Sequence, residues 1–254
     1  MEFRSQKATG FAILTAFSLA LALPAQQELR YRVRHAHWWK DRLGVLLIEE
    51  TGISYQETGN KRPEQLHHGR WSYDQIQQLF LSPNKLTVVT YEDRALLLGA
   101  DRRYEFLLAE SRSFQEAYER LKNRLDRRLV AALADPAPGE WWWELPVKLL
   151  GTLRGTQGVL RAGPERVVFQ ADRPGRSRTW RYEDLDNASL SDPYELTLTT
   201  YERARLDYGG RKSFRFQLKR PLEQQRFDAL WKRLNREKGL KFLLSIEERS
   251  PKGT

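Results

Sequence analysis

Apolar and polar residues alternate through three runs of the first half of the chain: "ISYQE" from Ile53, "LTVVTYE" from Leu86 and "RYEFLL" from Arg103. Alternation at period two turns one side of an extended chain inward, so each run predicts an antiparallel strand half buried on a core. Then the period changes. Phe114, Tyr118, Leu121 and Leu125 fall at helical spacing, and so do Phe227, Leu230, Trp231 and Leu234 near the other end; each set predicts one amphipathic helix. Ser113 with Glu116 has the spacing of a capping box, Pro221 suits the opening of the second helix, and Gly239 its close.

The strand pattern occurs twice. "LTVVTYEDRALLLGADRRYEFLL" from Leu86 is followed 110 residues later by "LTLTTYERARLDYGGRKSFRFQL" from Leu196, pairing Thr90-Tyr91-Glu92 with Thr200-Tyr201-Glu202 and Tyr104 and Phe106 with Phe214 and Phe216. At an offset of 109, "WSYDQI" from Trp71 meets "WRYEDL" from Trp180; at 114, "GVLLIEETGISYQ" from Gly44 meets "GVLRAGPERVVFQ" from Gly158. Small shifts of offset are changes of loop length, and so long a period means two copies of a whole domain rather than a solenoid. Between the copies, "ADPAPGE" (134–140) has the Pro and Gly content of a semi-rigid linker. The expected organisation is a signal peptide at 1–25, a first domain at 26–134, a linker at 135–144, a second domain at 145–240 and a tail at 241–254.

Each copy is thus a run of strands closed by a helix. That order, the W-x-Y-acidic-x-aliphatic turn at Trp71 and Trp180, and about 100 residues per copy resemble the pleckstrin-homology-like (PH-like) barrel. The resemblance implies an α+β, mainly β fold: two PH-like barrels in tandem, each a bent antiparallel sheet closed by its C-terminal helix. As a pair, the copies look like exported bacterial PH-like proteins.

The N-terminus changes the picture of where such a protein works. Arg4 and Lys7 precede the apolar run "FAILTAFSLALAL" (11–23), and Ala22 and Ala25 follow as small residues, the plan of a secretory signal peptide cleaved after Ala25 or Ala22. The run would rise only about 20 Å as a helix, short of a bilayer core of about 30 Å. The chain has no Cys, so an exported product must fold on its core without disulfides, which suits a bacterial periplasm or exterior. Charge is uneven as well. Lys and Arg balance Asp and Glu at 18 each over 26–144, but outnumber them 23 to 14 over 145–254.

Candidate chemistry is sparse. His35 and His37 fall on one face of a predicted strand and His67-His68 in a loop, a possible metal set, but the second copy has no His and no carboxylate is spaced to join them. There is no Gly-rich phosphate loop, G-x-S-x-G or zinc spacing, so no catalytic residue, metal or cofactor is assigned. Tyr91-Glu92 and Tyr201-Glu202, like Trp71, Trp180, Tyr73 and Tyr182, recur in both copies and read as structural, with Asp74 and Glu183 bonding a turn backbone.

Two features point outward instead. "EWWWEL" sets Trp141, Trp142 and Trp143 in a row, and an extended segment cannot bury three successive indoles on one side; the expectation is contact between domains, with a partner or with a membrane interface. "ADRPGRSRTWR" gathers Arg173, Arg176, Arg178 and Arg181 about a hairpin turn, to which Arg211 and Lys212 add charge. If use follows the PH-like resemblance, these six residues receive an anionic group, Arg engaging phosphate or carboxylate bidentately. The expected function is a non-catalytic exported binding or scaffold protein of the bacterial cell envelope. Its partner is an envelope protein or anionic surface rather than nucleic acid, which an exported chain rarely meets. The alternatives are peripheral binding to anionic lipid through the second domain and Trp141–Trp143, and a metal protein or enzyme using His35 and His37.

Overall fold

The computed structural model describes residues 28–36, 41–59, 62, 66–94, 97–151, 154–203 and 210–238, with the side chains of 94–100, 203 and 237 left out. The signal segment, His37, Gly239 and the tail at 241–254 lie outside the described residues. The fold is α+β and mainly β: fifteen strands in one sheet and two α-helices among the described residues.

In the first half, β1 (Leu29–His35), β2 (Arg42–Ile48), β3 (Gly52–Glu57), β4 (His68–Ser72), β5 (Ile76–Leu81), β6 (Lys85–Arg94) and β7 (Leu97–Leu108) precede α1 (Gln115–Leu121). After β8 (Leu129–Ala131), the second half repeats the series with β9 (Trp143–Leu149), β10 (Thr156–Ala162), β11 (Arg166–Ala171), β12 (Arg178–Arg181), β13 (Leu185–Asp192), β14 (Glu195–Arg203) and β15 (Arg211–Leu218), closed by α2 (Gln224–Glu237). A 3-10 helix, Tyr182–Asp184, lies between β12 and β13. β9 begins at Trp143, inside the segment read as linker.

The sheet order is β13-β14-β15-β9-β10-β11-β12-β8-β5-β6-β7-β1-β2-β3-β4. Either side of β8 the same seven-strand order appears, each half with its own buried cluster. The first gathers on Tyr31, Tyr55, Phe106, Phe114 and Tyr118, the second on Trp143, Phe169, Trp180, Phe216 and Leu230. Equivalent residues do equivalent work. Tyr73 Oη donates to the Glu49 carbonyl at 2.8 Å and Tyr182 Oη to the Gly163 carbonyl at 2.6 Å. Gly44 and Gly158 stand where a Cβ would collide with the carbonyls of Gln56 and Gln170 on the paired strand.

Three expectations are corrected. The halves are not two closed barrels but parts of one open sheet. β8 takes the outer edge of β5 in parallel (Leu79↔Leu129) and meets β12 antiparallel (Thr179↔Ala131), so neither β5 nor β12 has an edge left on which β4 or β13 could close. The capping box does not form: Ser113 Oγ accepts from Gln115 N at 3.0 Å, while the Glu116 carboxylate turns to Arg112 at 2.8 Å. In the first W-x-Y turn Asp74 bonds Ser72 and the turn backbone, as expected, joined by Gln75 Oε1 accepting from Ser72 N (3.1 Å), whereas the second turn is bonded one position later than expected, by Asp184 Oδ2 accepting from Arg181 N (2.8 Å). In α2, Phe227, Leu230 and Leu234 are buried, whereas Trp231 is 39% exposed at the border of the apolar stripe.

Candidate functional site

Register gathers three connections of the second half at one end of the sheet. Thr156 faces Leu149, which puts the β9–β10 turn there; Gly158 faces Ala171, which sets the β11–β12 turn beside it; and Arg203 faces Arg211 where β14 passes to β15. α2 lies at the opposite end, where Trp143, the first residue of β9, donates its Nε1–H to the Arg226 carbonyl at 3.2 Å. The β11–β12 turn exposes Arg173 and Arg176 on either side of Gly175, whose φ of 71° is a left-handed conformation that Gly adopts without strain. Arg154 in the neighbouring turn and Lys148 just before it are exposed as well. Sequence reasoning missed these two.

The remaining basic residues are engaged. Lys212 Nζ reaches Glu202 at 2.9 Å and Arg178 Nη1 lies 3.9 Å from the same carboxylate, which is 6% exposed. Both cations stand over the Phe214 ring, at 4.9 and 5.5 Å from its centroid. The first half holds the matching trio in the open: Arg102 Nη1 to Glu92 at 2.9 Å, above Tyr104. Here lies the structural reason that the Glu of Tyr-Glu recurs: in each copy it pairs with a cross-strand cation that itself stands over an aromatic ring. Arg211 pairs with Asp186 and covers the Tyr201 ring, which Arg127 also approaches at 5.1 Å.

Arg181 belongs elsewhere. Its Nη1 donates to the carbonyls of Lys122 and Leu125, both at 2.8 Å, and its Nη2 to that of Asp126 at 2.7 Å, so this side chain of the second half caps the open end of α1 in the first. Its Nε and Nη2 also hold Asp184, at 3.2 and 2.9 Å. With its donors spent on the chain, Arg181 leaves the anion-binding set proposed from sequence. Burial pushes the Asp184 carboxyl up to about 6 despite the opposing pull of Arg181.

Beside Arg181 a cavity of about 310 Å³ opens between the halves, walled by Tyr118 and Lys122 on one side and by Arg166, Tyr182 and Arg233 on the other. Asp135 lines it too, accepting from Tyr118 Oη at 3.3 Å and lying 3.3 Å from Arg166 Nε, while its own N–H donates to Thr179 Oγ1 at 2.9 Å. Burial, reinforced by the Asp135 charge, raises the Tyr118 phenol, and burial raises Tyr182. Both are therefore held protonated, as donors. Arg166 and Arg181 fall where the first copy has Gly52 and Ser72, so the junction is built from positions at which the copies differ.

The tryptophans do not form an exposed anchor. Trp143 is buried in the second core, Trp142 packs against that core near Tyr182, and Trp141 lies beneath the Arg166 guanidinium at 5.3 Å. Alternation along the strand start sends successive indoles to different surroundings, each of which this chain supplies. Trp143 is thus closed to any partner, while Trp141 and Trp142 stay half-buried. His35 sits among aromatic rings, 4.9 Å from Phe106 and 5.3 Å from Tyr55, with Nδ1 3.1 Å from the Glu105 carbonyl. Among the described residues no group of three His, Cys, Asp or Glu could hold a metal ion.

No protein-family model matches the chain, and no curated protein does. Among solved structures, the C-terminal domain of an unknown protein from Leishmania infantum is similar over 48% of this chain and 94% of its own, at 11% identity and a TM-score of 0.30. The Spt16D Pob3N heterodimer is similar over 68% of this chain and 82% of the matched chain, at 13% identity and a TM-score of 0.29. Likenesses of this strength carry no inference about fold or function.

Proposed function

We propose that this protein is a non-catalytic binding module of the bacterial cell envelope, exported by its N-terminal segment, whose second half grips an anionic partner at the basic end of the sheet. The halves are read as two PH-like units sharing one sheet through β8. The observation that carries the reading is the meeting of exposed Arg154, Arg173 and Arg176 from two adjacent turns at the end away from α2. Three exposed guanidinium groups outnumber the one exposed carboxylate of these turns, Asp172, and favour phosphate or carboxylate over a neutral ligand. Glu202 keeps Lys212 and Arg178 occupied just below, so the turn arginines make the first contact.

The test is flotation of the mature chain with neutral and with acidic vesicles, at low and at moderate salt. Salt-sensitive capture by acidic vesicles, lost on joint Arg173→Glu and Arg176→Glu replacement, supports the reading and makes a lipid surface the partner. Capture that survives the double reversal overturns it. Without capture by the wild-type chain the anion is a protein's, and cross-linking in envelope extracts with the same variant as control identifies it. Export is tested separately, by the N-terminal residue of the protein recovered outside the cytoplasm: Gln26 or Leu23 for cleavage after Ala25 or Ala22.

A further inference from the structure

The basic end of the second half continues onto its outer face. Lys148 on β9 and Gln157 on β10 are register partners, and Lys219, just past β15, donates from Nζ to Gln157 Oε1 at 2.6 Å. The Lys219 side chain therefore crosses the outer face of β9. The Lys148 stem lies against Gly155, where a Cβ would come within 2.5 Å of Lys148 Cε, and so passes beside Arg154. The Gln157 carbonyl accepts from Asp172 N at 3.0 Å, at the start of the turn that carries Arg173 and Arg176. One residue, Gln157, thus links the lysines of the face to the arginines of the turn.

Lys219, Lys148, Arg154, Arg173 and Arg176 therefore share one surface, and all are exposed. None of them has an acidic partner among the described residues; the exposed acid within the track is Asp172. On either side the charges cancel. Arg215 answers Glu195 at 3.5 Å toward β14, and Arg161 answers Glu144 at 2.5 Å toward the other end of β9 and β10. The track runs from β15 across β9 and β10 to the β11–β12 turn, three strand spacings, about 14 Å. It also bends. Lys219 N donates to the Pro146 carbonyl at 2.9 Å, which sets Lys219 three residues back from Leu149 at the end of β9, about 10 Å behind the turns.

We propose that the anionic partner of this end is an extended acidic segment of another envelope protein, laid along these five cations. This deepens the reading above and rests on it. A membrane is flat, and one resting on the arginine turns leaves Lys219 behind on the flank, whereas a chain follows the bend. An extended peptide with an acid at every second residue presents its carboxylates on one side at intervals of about 6.8 Å. Diagonal neighbours across two strands, such as Lys219 and Lys148, are spaced by roughly 7–8 Å. The uncharged groups agree. Gln157 and Gln217 flank Lys148 from β10 and β15, both exposed. Their amides donate and accept, as a peptide main chain does, while a phosphate polymer offers acceptors alone.

Fluorescence anisotropy of labelled peptides with the mature chain tests this at about 20 mM and about 200 mM salt, between which the screening length shortens about threefold. The probes are Glu-Ser-Glu and a longer peptide in which Glu and Ser alternate over about eleven residues, enough to span the track. The long peptide is expected to bind at least about tenfold tighter than the short one at low salt, an advantage that shrinks at high salt. Joint Lys148→Gln and Lys219→Gln replacement removes most of that advantage, and the variant melts like wild type because both side chains are exposed. Joint Lys232→Gln and Arg236→Gln replacement, the same loss of charge on exposed positions of α2, keeps the advantage.

A long peptide that binds no tighter than the short one overturns the proposal, as does a Lys148→Gln, Lys219→Gln variant that keeps the full advantage. If acidic vesicles capture the chain through Arg173 and Arg176 while neither peptide binds, this proposal falls and the anion-binding reading stands. If binding of a polyphosphate depends on Lys148 and Lys219 while that of the long peptide does not, the track serves a phosphate polymer and this proposal falls. If the Arg173→Glu, Arg176→Glu variant keeps both peptide binding and vesicle capture, the two readings fall together.

Discussion

Arg181, on the second half of the sheet, donates to the main-chain carbonyl of Leu125 at 2.8 Å, joining the last strand before the 3-10 helix to the open end of α1. The carbonyls of Lys122 and Asp126 complete a three-way grip that a planar fork of donors suits and a point charge does not. Arg181→Ala is expected to lower unfolding stability by about 2–4 kcal/mol, because it strands those carbonyls and the Asp184 carboxylate together. Arg181→Lys is expected to recover less than half of the loss. Denaturant unfolding of the three proteins checks both.

The Asp184 carboxyl, raised to about 6 from 3.8, gives a signed pH dependence. Between those values the folded state holds the proton more often than the unfolded state, so this group's contribution is fully present below pH 3.8 and is lost as pH rises through 6. The loss is at most about 3 kcal/mol. Urea midpoints measured from pH 3.5 to 6.5 should show that downward component in wild type and a flatter profile in Asp184→Asn. An unchanged slope would show that Asp184 titrates normally.

Glu202 and Glu92 occupy equivalent places but are buried to different extents, their side chains being 6% and 64% exposed. Glu202→Ala leaves Lys212 and Arg178 without their carboxylate in a largely buried setting, and is expected to cost about 2 kcal/mol or more. Glu92→Ala breaks a solvated pair and should cost less than about 1 kcal/mol. Thermal melts of the two variants make the comparison within one protein.

The three tryptophans should separate by role. Trp143→Ala is expected to destabilise by about 3–5 kcal/mol as a core deletion. Trp141→Ala and Trp142→Ala should leave vesicle capture, where it occurs, unchanged. A loss of capture with fold intact would restore the indoles as an interfacial anchor.

Pattern along the chain determined the element types, since alternation and helical spacing are local properties that a strand or helix expresses wherever it packs. It also determined the duplication, because Trp71 and Trp180, Tyr73 and Tyr182, and Glu92 and Glu202 each perform the same local task twice. The excess of basic residues in the second half was equally legible, being a count. Only the tertiary structure decided that the halves join into one sheet, since β8 is three residues long, too short to carry a period, and pairs with strands on both sides. Only it separated Arg181 from Arg173 and Arg176, which look alike in sequence. The carbonyls that claim Arg181 come from residues 55 to 59 positions earlier. A guanidinium's role depends on which acceptors folding brings within 3 Å of it, and that distance is a property of the packed chain rather than of any stretch of it.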